Sequence, residues 1–184
     1  MKQIGKVIRP IILYGDPILE LKSTEVKQSS LLDINHLIGD LFETMHRANG
    51  VGLAAIQVGV PLRIFVIDAK LEKEDFHFSG EFINPKILRE WGEPEKHPEG
   101  CLSIPQITAL VSRLPNIEFE WWDEKWDYHK EIFDSYTARI IQHEYEHLDG
   151  EIYIDRLDLM WKEMLRIPLD LIKKRKVEVP YLYK

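Results

Sequence analysis

Gln142-His143-Glu144-Tyr145-Glu146-His147 is the stretch on which the reading of this chain turns. It contains HExxH. Two histidines at i and i+4 share one face of an α-helix, a turn apart, so both imidazoles can reach a single metal ion. Glu144 stands beside that face, where it can take a proton from water at the metal without being a ligand. The flanks predict a helix. Tyr136, Ile140, Ile141, Glu144, Tyr145 and Leu148 recur at spacings of three and four, Asp134 or Ser135 can cap the start, and Gly150 suits the stop. The plainer alternative is a charged helix with two unrelated histidines.

A hydrolytic metal centre needs a third protein ligand and an open position for water. The sequence offers three routes to it. The longer motif HExxHxxGxxH is met at Gly150 but fails at Tyr153, where the third histidine should stand. A glutamate from a following helix is the second route, and Glu163 is the candidate. The third is the lone cysteine, Cys101, upstream of the helix. An inert buried thiol is the bland reading of that residue.

A chain of 184 residues is predicted to form one domain, residues 1–184, with a variable C-terminal tail from about residue 165. Its 45% apolar and 30% charged content are ordinary for a globular protein. No apolar run approaches the length of a membrane span, and no signal-like segment opens the chain, so a cytoplasmic protein is expected. One cysteine rules out an intramolecular disulfide and fits a reducing compartment. A net charge of −7 argues against general nucleic-acid binding.

Residues 4–20, with Pro10, Gly15 and Pro17, predict an extended arm with turns. Leu31, Ile34, Leu37, Ile38, Leu41, Phe42 and Met45 predict a core helix over 30–46, capped by Ser30. Gly50-Val51-Gly52-Leu53-Ala54-Ala55 matches a dinucleotide fingerprint, but a helix precedes it and a strand over 63–67 follows, the reverse of what that motif requires. The segment is better read as a tight glycine turn whose small residues admit a substrate chain, with Gln57 as a placed amide. Residues 70–80 read as a solvated loop, 81–88 as a strand interrupted at Asn84-Pro85, and 116–123 with 126–133 as a hairpin turning at Asp123-Glu124-Lys125. Residues 151–157 look extended. Helical spacing follows over 158–166, with Pro168 expected to break or restart the helix. Val177, Val179, Tyr181 and Tyr183 alternate as a last strand would, and Lys173–Lys176 reads as a solvated basic face. The fold class predicted is α+β: mostly antiparallel strands packed around a central helix that carries HExxH.

Three segments in order now form a pattern: Gly50-Val51-Gly52-Leu53-Ala54-Ala55-Ile56-Gln57, Glu99-Gly100-Cys101-Leu102-Ser103, and Gln142 to His147. Together they resemble the peptide deformylase family, over about residues 8 to 160. Departures are Glu146, where the family usually has Asp, Ile56, where many members have Pro or Thr, and Thr108, where some have Arg; Arg113 looks retained. With the resemblance, Cys101, His143 and His147 are the expected ligands of one divalent ion. A thiolate with two imidazoles suits Zn2+, Fe2+, Co2+ or Ni2+, and the resemblance implies Fe2+. It also implies an enzyme that removes the formyl group from N-formyl-Met nascent peptides and releases formate. In that reading Glu144 is the base, and the Gln57 amide with the Leu102 N–H stabilises the oxyanion. A methionine pocket is implied near Val51, Gly52 and Glu99. Arg113 and Glu146 are expected behind the ligands, as a pair or with Glu146 on a ligand ring. The basic tail could touch the ribosome, and no membrane contact is expected. The competing function is an HExxH metallopeptidase with Glu163 as third ligand; a structural-metal module is disfavoured because such a site has no use for Glu144.

Overall fold

The structure, a computed structural model, describes residues 6–71 and 76–184. The apolar run that begins at Ile64 organises it. Strand β2 (Ile64–Leu71) pairs antiparallel with β1 (Gly52–Ala54) on one side and β3 (Phe76–Trp91) on the other. Both faces of β2 are covered, which is why its core reads as a continuous apolar run rather than an alternation. Ile64 and Val66 pack with Ile34, Leu37, Ile38, Leu41 and Met45 of helix α1 (Leu31–Arg47). Phe65 and Ile67 pack with Ala138, Ile140, Ile141 and Leu148 of helix α2 (Ser135–Leu148). The result is three layers, with the sheet between two helices. The sheet is completed by β6 (Asn116–Trp122) and β7 (Tyr128–Asp134), in the order β1-β2-β3-β6-β7.

A second antiparallel pair, β4 (Glu95–Cys101) and β5 (Ile104–Arg113), stands apart from the first sheet. Along β5 the buried positions Ile107, Ala109, Val111 and Arg113 alternate with exposed ones. Ile107, Ala109 and Val111 pack with Leu165 and Ile172 of helix α3 (Leu159–Lys173). Cys101 ends β4 and Ser135 opens α2, so the two chemistry-bearing motifs sit on two separate, rigid elements.

Several sequence expectations are corrected. Residues 70–80 are not a loop: β2 and β3 stay paired to Leu71↔Phe76, and only residues 72–75 fall outside the described residues. Phe78 faces inward onto Phe82 and Phe133, which offsets the polar composition around it. The Ser30 cap also falls outside what is described. Strand β3 runs through Asn84-Pro85 with a register shift. Asn84 takes a left-handed backbone, φ +48°, and its side chain clamps Val26 through both N–H and C=O. Residues 153–156 form a 3₁₀ turn instead of an extended segment. Helix α3 continues through Pro168, because Leu165, Leu169 and Ile172 on both sides of it pack on the same core; tertiary packing overrides local propensity. The tail makes a single parallel bridge, Ile11↔Tyr183, rather than a strand. In the basic run, Arg175 turns inward to the carbonyls of Leu13 and Tyr14. Asp134 occupies the N-cap position of α2 but accepts no bond from the helix, and the Ser135 N–H donates to Pro115.

Two glycines give opposite expectations. Gly150 stops α2 at φ +79°, and a Cβ there would meet the Glu20 carbonyl oxygen at 2.5 Å. Gly39 lies inside α1 with only Lys6 side-chain atoms near, at 3.7 Å or more. Gly150→Ala should therefore destabilise by more than ~1 kcal/mol, whereas Gly39→Ala should stabilise by ~0.5–1 kcal/mol. Denaturant unfolding of both variants reads the sign directly.

Candidate active site

Nearly every side chain of α2 from Thr137 to Leu148 is buried, the polar ones included. Buried polar groups need partners, so the surroundings of this helix are dictated by its own sequence. Gln142 donates to the Leu114 and Ala138 carbonyls. His143 and His147 face Cys101 across the gap between α2 and β4, their rings nearly perpendicular, with centroids 5.3 Å apart. One ligand atom from each of the three residues lies within 4.8 Å of the others. Cys101 Sγ and His147 Nε2 are 3.3 Å apart. Among the described residues this is the one group of three or more His, Cys, Asp or Glu side chains placed to share an ion. Glu163 is not part of it. Its side chain is 71% exposed on α3 and paired with Arg166, so the second route to a third ligand fails.

Glu144 is buried beside the histidines, and one of its carboxylate oxygens has no hydrogen-bond partner. Burial pushes this carboxyl up, to about 7; the His143 ring pulls it down and the Glu99 charge adds to the rise. Gly52 explains how the carboxylate fits, since a Cβ on that residue would collide with it. Gln57, also buried, is oriented by three contacts. Its Oε1 accepts from the Ala54 N–H at 2.8 Å, and its Nε2 points toward Ser103 Oγ at 3.1 Å and Cys101 Sγ at 3.4 Å.

Behind the cysteine and histidines lies an ion network. Arg113, its side chain fully buried, forks onto two carboxylates. It donates to Glu99 at 2.7 and 2.8 Å and to Glu146 at 2.6 and 2.9 Å. Glu99 also accepts from Arg139 at 2.7 Å, and its second oxygen lies 3.0 Å from His143 Nδ1. Glu146 takes a further bond from Arg156. Burial opposes charge on Glu99, but the bonds from His143 and Arg113 outweigh it and hold the carboxyl well below its usual range. The Glu99 carboxylate is thus committed to these partners, which fixes the His143 tautomer so that Nε2 faces Cys101. Glu99 lines the cavity, as Val51 and Gly52 do, without a free carboxylate to offer a substrate. Glu146 pairs with Arg113, as one of the two sequence options had it, and not with a ligand ring.

Sequence reasoning missed three contributors. Arg139 was readable in principle, standing four residues before His143 on the same helix face. Tyr153, considered only as an absent histidine, stacks on His143 at 5.9 Å and donates to the Ile107 carbonyl at 3.1 Å. Arg156 comes from a 3₁₀ turn with no distinguishing local pattern.

The cavity in front of these groups measures about 430 Å³. Asn49 to Gly52 line one side, Tyr136 and Ile140 another, and Thr108 a third. A thiol, two imidazoles within a few ångströms and a buried carboxylate with an unused oxygen fit a divalent metal ion and a water to be activated. Fold and site define the class: an α+β hydrolytic enzyme of the HExxH type with a cysteine placed beside the two histidines.

Comparison with known proteins narrows that class. The family model for polypeptide deformylase matches residues 8–163. A peptide deformylase from Cytophaga hutchinsonii is 42% identical over 180 residues, covering 97% of each chain. The crystal structure of peptide deformylase from Thermus thermophilus superposes with a TM-score of 0.83 at 35% identity, covering 92% of this chain and 99% of that one. A class I type b peptide deformylase from Acinetobacter baumannii, solved with Met-Ala-Ser bound, gives 0.79 at 28% identity, covering 83% of this chain and 100% of that one. The chain belongs to the polypeptide deformylase family, enzymes that remove the N-formyl group from newly made peptides.

The ion network yields a measurable coupling. Arg113→Ala removes the guanidinium that bridges two buried carboxylates, leaving Glu99 to Arg139 and His143, and Glu146 to Arg156, and is expected to cost about 3–5 kcal/mol of stability. Glu146→Ala should weaken metal retention by ~10–100-fold. Because the two residues share one contact, the double variant should lose less than the sum. Strict additivity in stability and metal affinity would refute the coupling.

Proposed function

We propose that deformylation takes place at one divalent ion held by Cys101, His143 and His147, and that Fe2+ is the native ion, with Zn2+, Ni2+ or Co2+ able to replace it. The convergence of those three ligand atoms with the unpartnered oxygen of Glu144 carries this reading. When bound, the ion supplies Lewis acidity toward the formyl oxygen and acidifies water. Glu144 accepts the proton of the attacking water and then delivers it to the leaving amine nitrogen. Gln57 Nε2 and the Leu102 N–H are directed at the charge that develops on the formyl oxygen; one such donor is commonly worth ~10²–10³-fold in rate. Formate and a free amino terminus leave. The Gly50–Gly52 segment bears no side chain at either glycine, so an extended peptide can lie against it, with its methionine in the cavity bounded by Val51, Gly52 and Glu99. A relative that binds Met-Ala-Ser supports a product of this form.

The same reading includes the wider setting. No helix of the described residues is long and apolar enough to cross a membrane, and a substrate made on ribosomes places the enzyme in the cytoplasm. Lys173, Lys174 and Lys176 could meet the ribosome transiently, whereas Arg175 is committed to the carbonyls of residues 13 and 14. Salt-sensitive cosedimentation with ribosomes that disappears on replacing the three lysines tests that contact.

Glu144→Ala is expected to keep its metal and lose ~10²–10⁴-fold in formate release from formyl-Met peptides; a metal-loaded variant of near-normal rate removes Glu144 from the mechanism. Cys101→Ala should lose the metal, while Glu163→Ala changes little, both read by metal content beside formate release. If Fe2+ is native, enzyme purified in air should lose activity and regain it with Ni2+ or Co2+, since a thiolate-bound ferrous centre is open to oxidation. Undiminished activity of an iron-loaded, air-exposed enzyme would contradict the metal assignment.

A further inference from the structure

The C-terminal tail closes one side of the cavity. Glu178, Val179, Pro180 and Tyr181 line it together with the Gly50–Gly52 segment. Two hydrogen bonds hold the tail there. The Tyr181 hydroxyl donates to the Leu102 carbonyl at 2.7 Å, and Gln106 Nε2 donates to the Glu178 carbonyl at 2.9 Å. The end of the tail is pinned to the N-terminal arm. Ile11 N–H donates to Leu182, Lys184 N–H to Ile11, and Leu13 N–H to Lys184. Between those residues, the Ile12 N–H donates to the Gln57 carbonyl at 2.8 Å. The tail therefore holds the backbone of both residues whose donors are assigned to the formyl oxygen: Leu102 at its carbonyl through Tyr181, and Gln57 at its carbonyl through residues 11–13.

Charge at the cavity is uneven. Glu99 and Arg139 neutralise one another, and Glu144 is buried at the floor. Glu178 is exposed, and its carboxylate makes no ion pair with a described residue. It is an acidic residue of the cavity lining that no described cation neutralises.

We propose that residues 178–181 are the downstream wall of the peptide channel, with Tyr181 as a positioning residue that holds Leu102 by its carbonyl, and Glu178 as a specificity residue that favours basic side chains following the formylated methionine. This rests on the deformylase reading and adds to it a substrate preference and a second site of control. An exposed ion pair gains little, so the preference is modest, ~2–5-fold, and fades at high salt. The Tyr181 contact is one hydrogen bond, and its loss should cost about fivefold.

The experiment is steady-state formate release by metal-loaded wild type, Glu178→Gln, Glu178→Lys and Tyr181→Phe. The substrates are formyl-Met amide, formyl-Met-Ala-Lys and formyl-Met-Ala-Glu. Wild type should prefer the lysine peptide in kcat/KM by ~2–5-fold. Glu178→Gln should bring the ratio to unity, and Glu178→Lys should invert it. Tyr181→Phe should lower kcat about fivefold even on formyl-Met amide, with KM little moved, a split that loss of packing alone does not produce. Should Tyr181→Phe fold poorly, the Glu178 ratios still decide the wall. Formate release with one lysine-to-glutamate ratio in all four proteins overturns the tail's role and leaves the family activity standing. No formate from any substrate with wild type overturns the activity and the tail's role with it.

Discussion

The guanidinium of Arg113 ties the small sheet to α2. It ends β5 of the small sheet, yet both of its forks are taken by carboxylates of other elements, Glu99 on β4 and Glu146 on α2. Carboxylates and guanidinium are all buried, so none can fall back on water if a partner is removed. A buried ion pair of this kind is weak evidence for net stability, because desolvation consumes most of its attraction. What it supplies is geometry. The position of α2 against β4, and hence of His143 and His147 against Cys101, is held by Arg113 together with Arg139, which reaches the same Glu99 from α2. The three groups placed to share an ion come from separate elements, and this network bears on the distance between them.

From that constraint the chemistry follows outward. Glu99 holds His143 through Nδ1 and leaves Nε2 uncommitted to that carboxylate. Tyr153 packs on the same ring from behind. Gln57 is held by the Ala54 N–H on one side and directed at Cys101 and Ser103 on the other. Glu144 has no such restraint on its free oxygen. Burial raises its carboxyl to about 7, and a divalent cation beside it would draw that value down. In the proposed mechanism the group that moves the proton thus keeps one carboxylate oxygen without a fixed partner.

Glutamate at position 146 extends the network. The additional methylene relative to aspartate places its carboxylate within reach of Arg156 as well as Arg113. Through Arg156 the 3₁₀ turn that follows α2 is tied to the same cluster, and that turn leads into α3 and the tail. Three guanidinium groups and two carboxylates then couple β4, β5, α2 and the 153–156 turn.

Read alone, the sequence determined the helix that bears HExxH, a core helix over 30–46, the β6–β7 hairpin and the α+β class, and it named Cys101, His143 and His147, which the fold brings within reach of one another, with Glu144 and Gln57 beside them. These were legible because each rests on local periodicity or on residue types that chemistry permits in few arrangements. The Arg113–Glu146 pair was legible as one of two options, since a helix acid beside a ligand histidine must find a partner. Other features needed the tertiary structure. The β2–β3 pairing overrides a polar stretch because a neighbouring strand satisfies its backbone. Pro168 stays in α3 because the packed face spans it. Arg156, Arg139 and Tyr153 join the site only through contacts between distant segments, and nothing local in Glu178–Tyr181 shows that it lines the cavity. Period and chemistry are properties of a segment, whereas the enclosure of a site is a property of how segments meet.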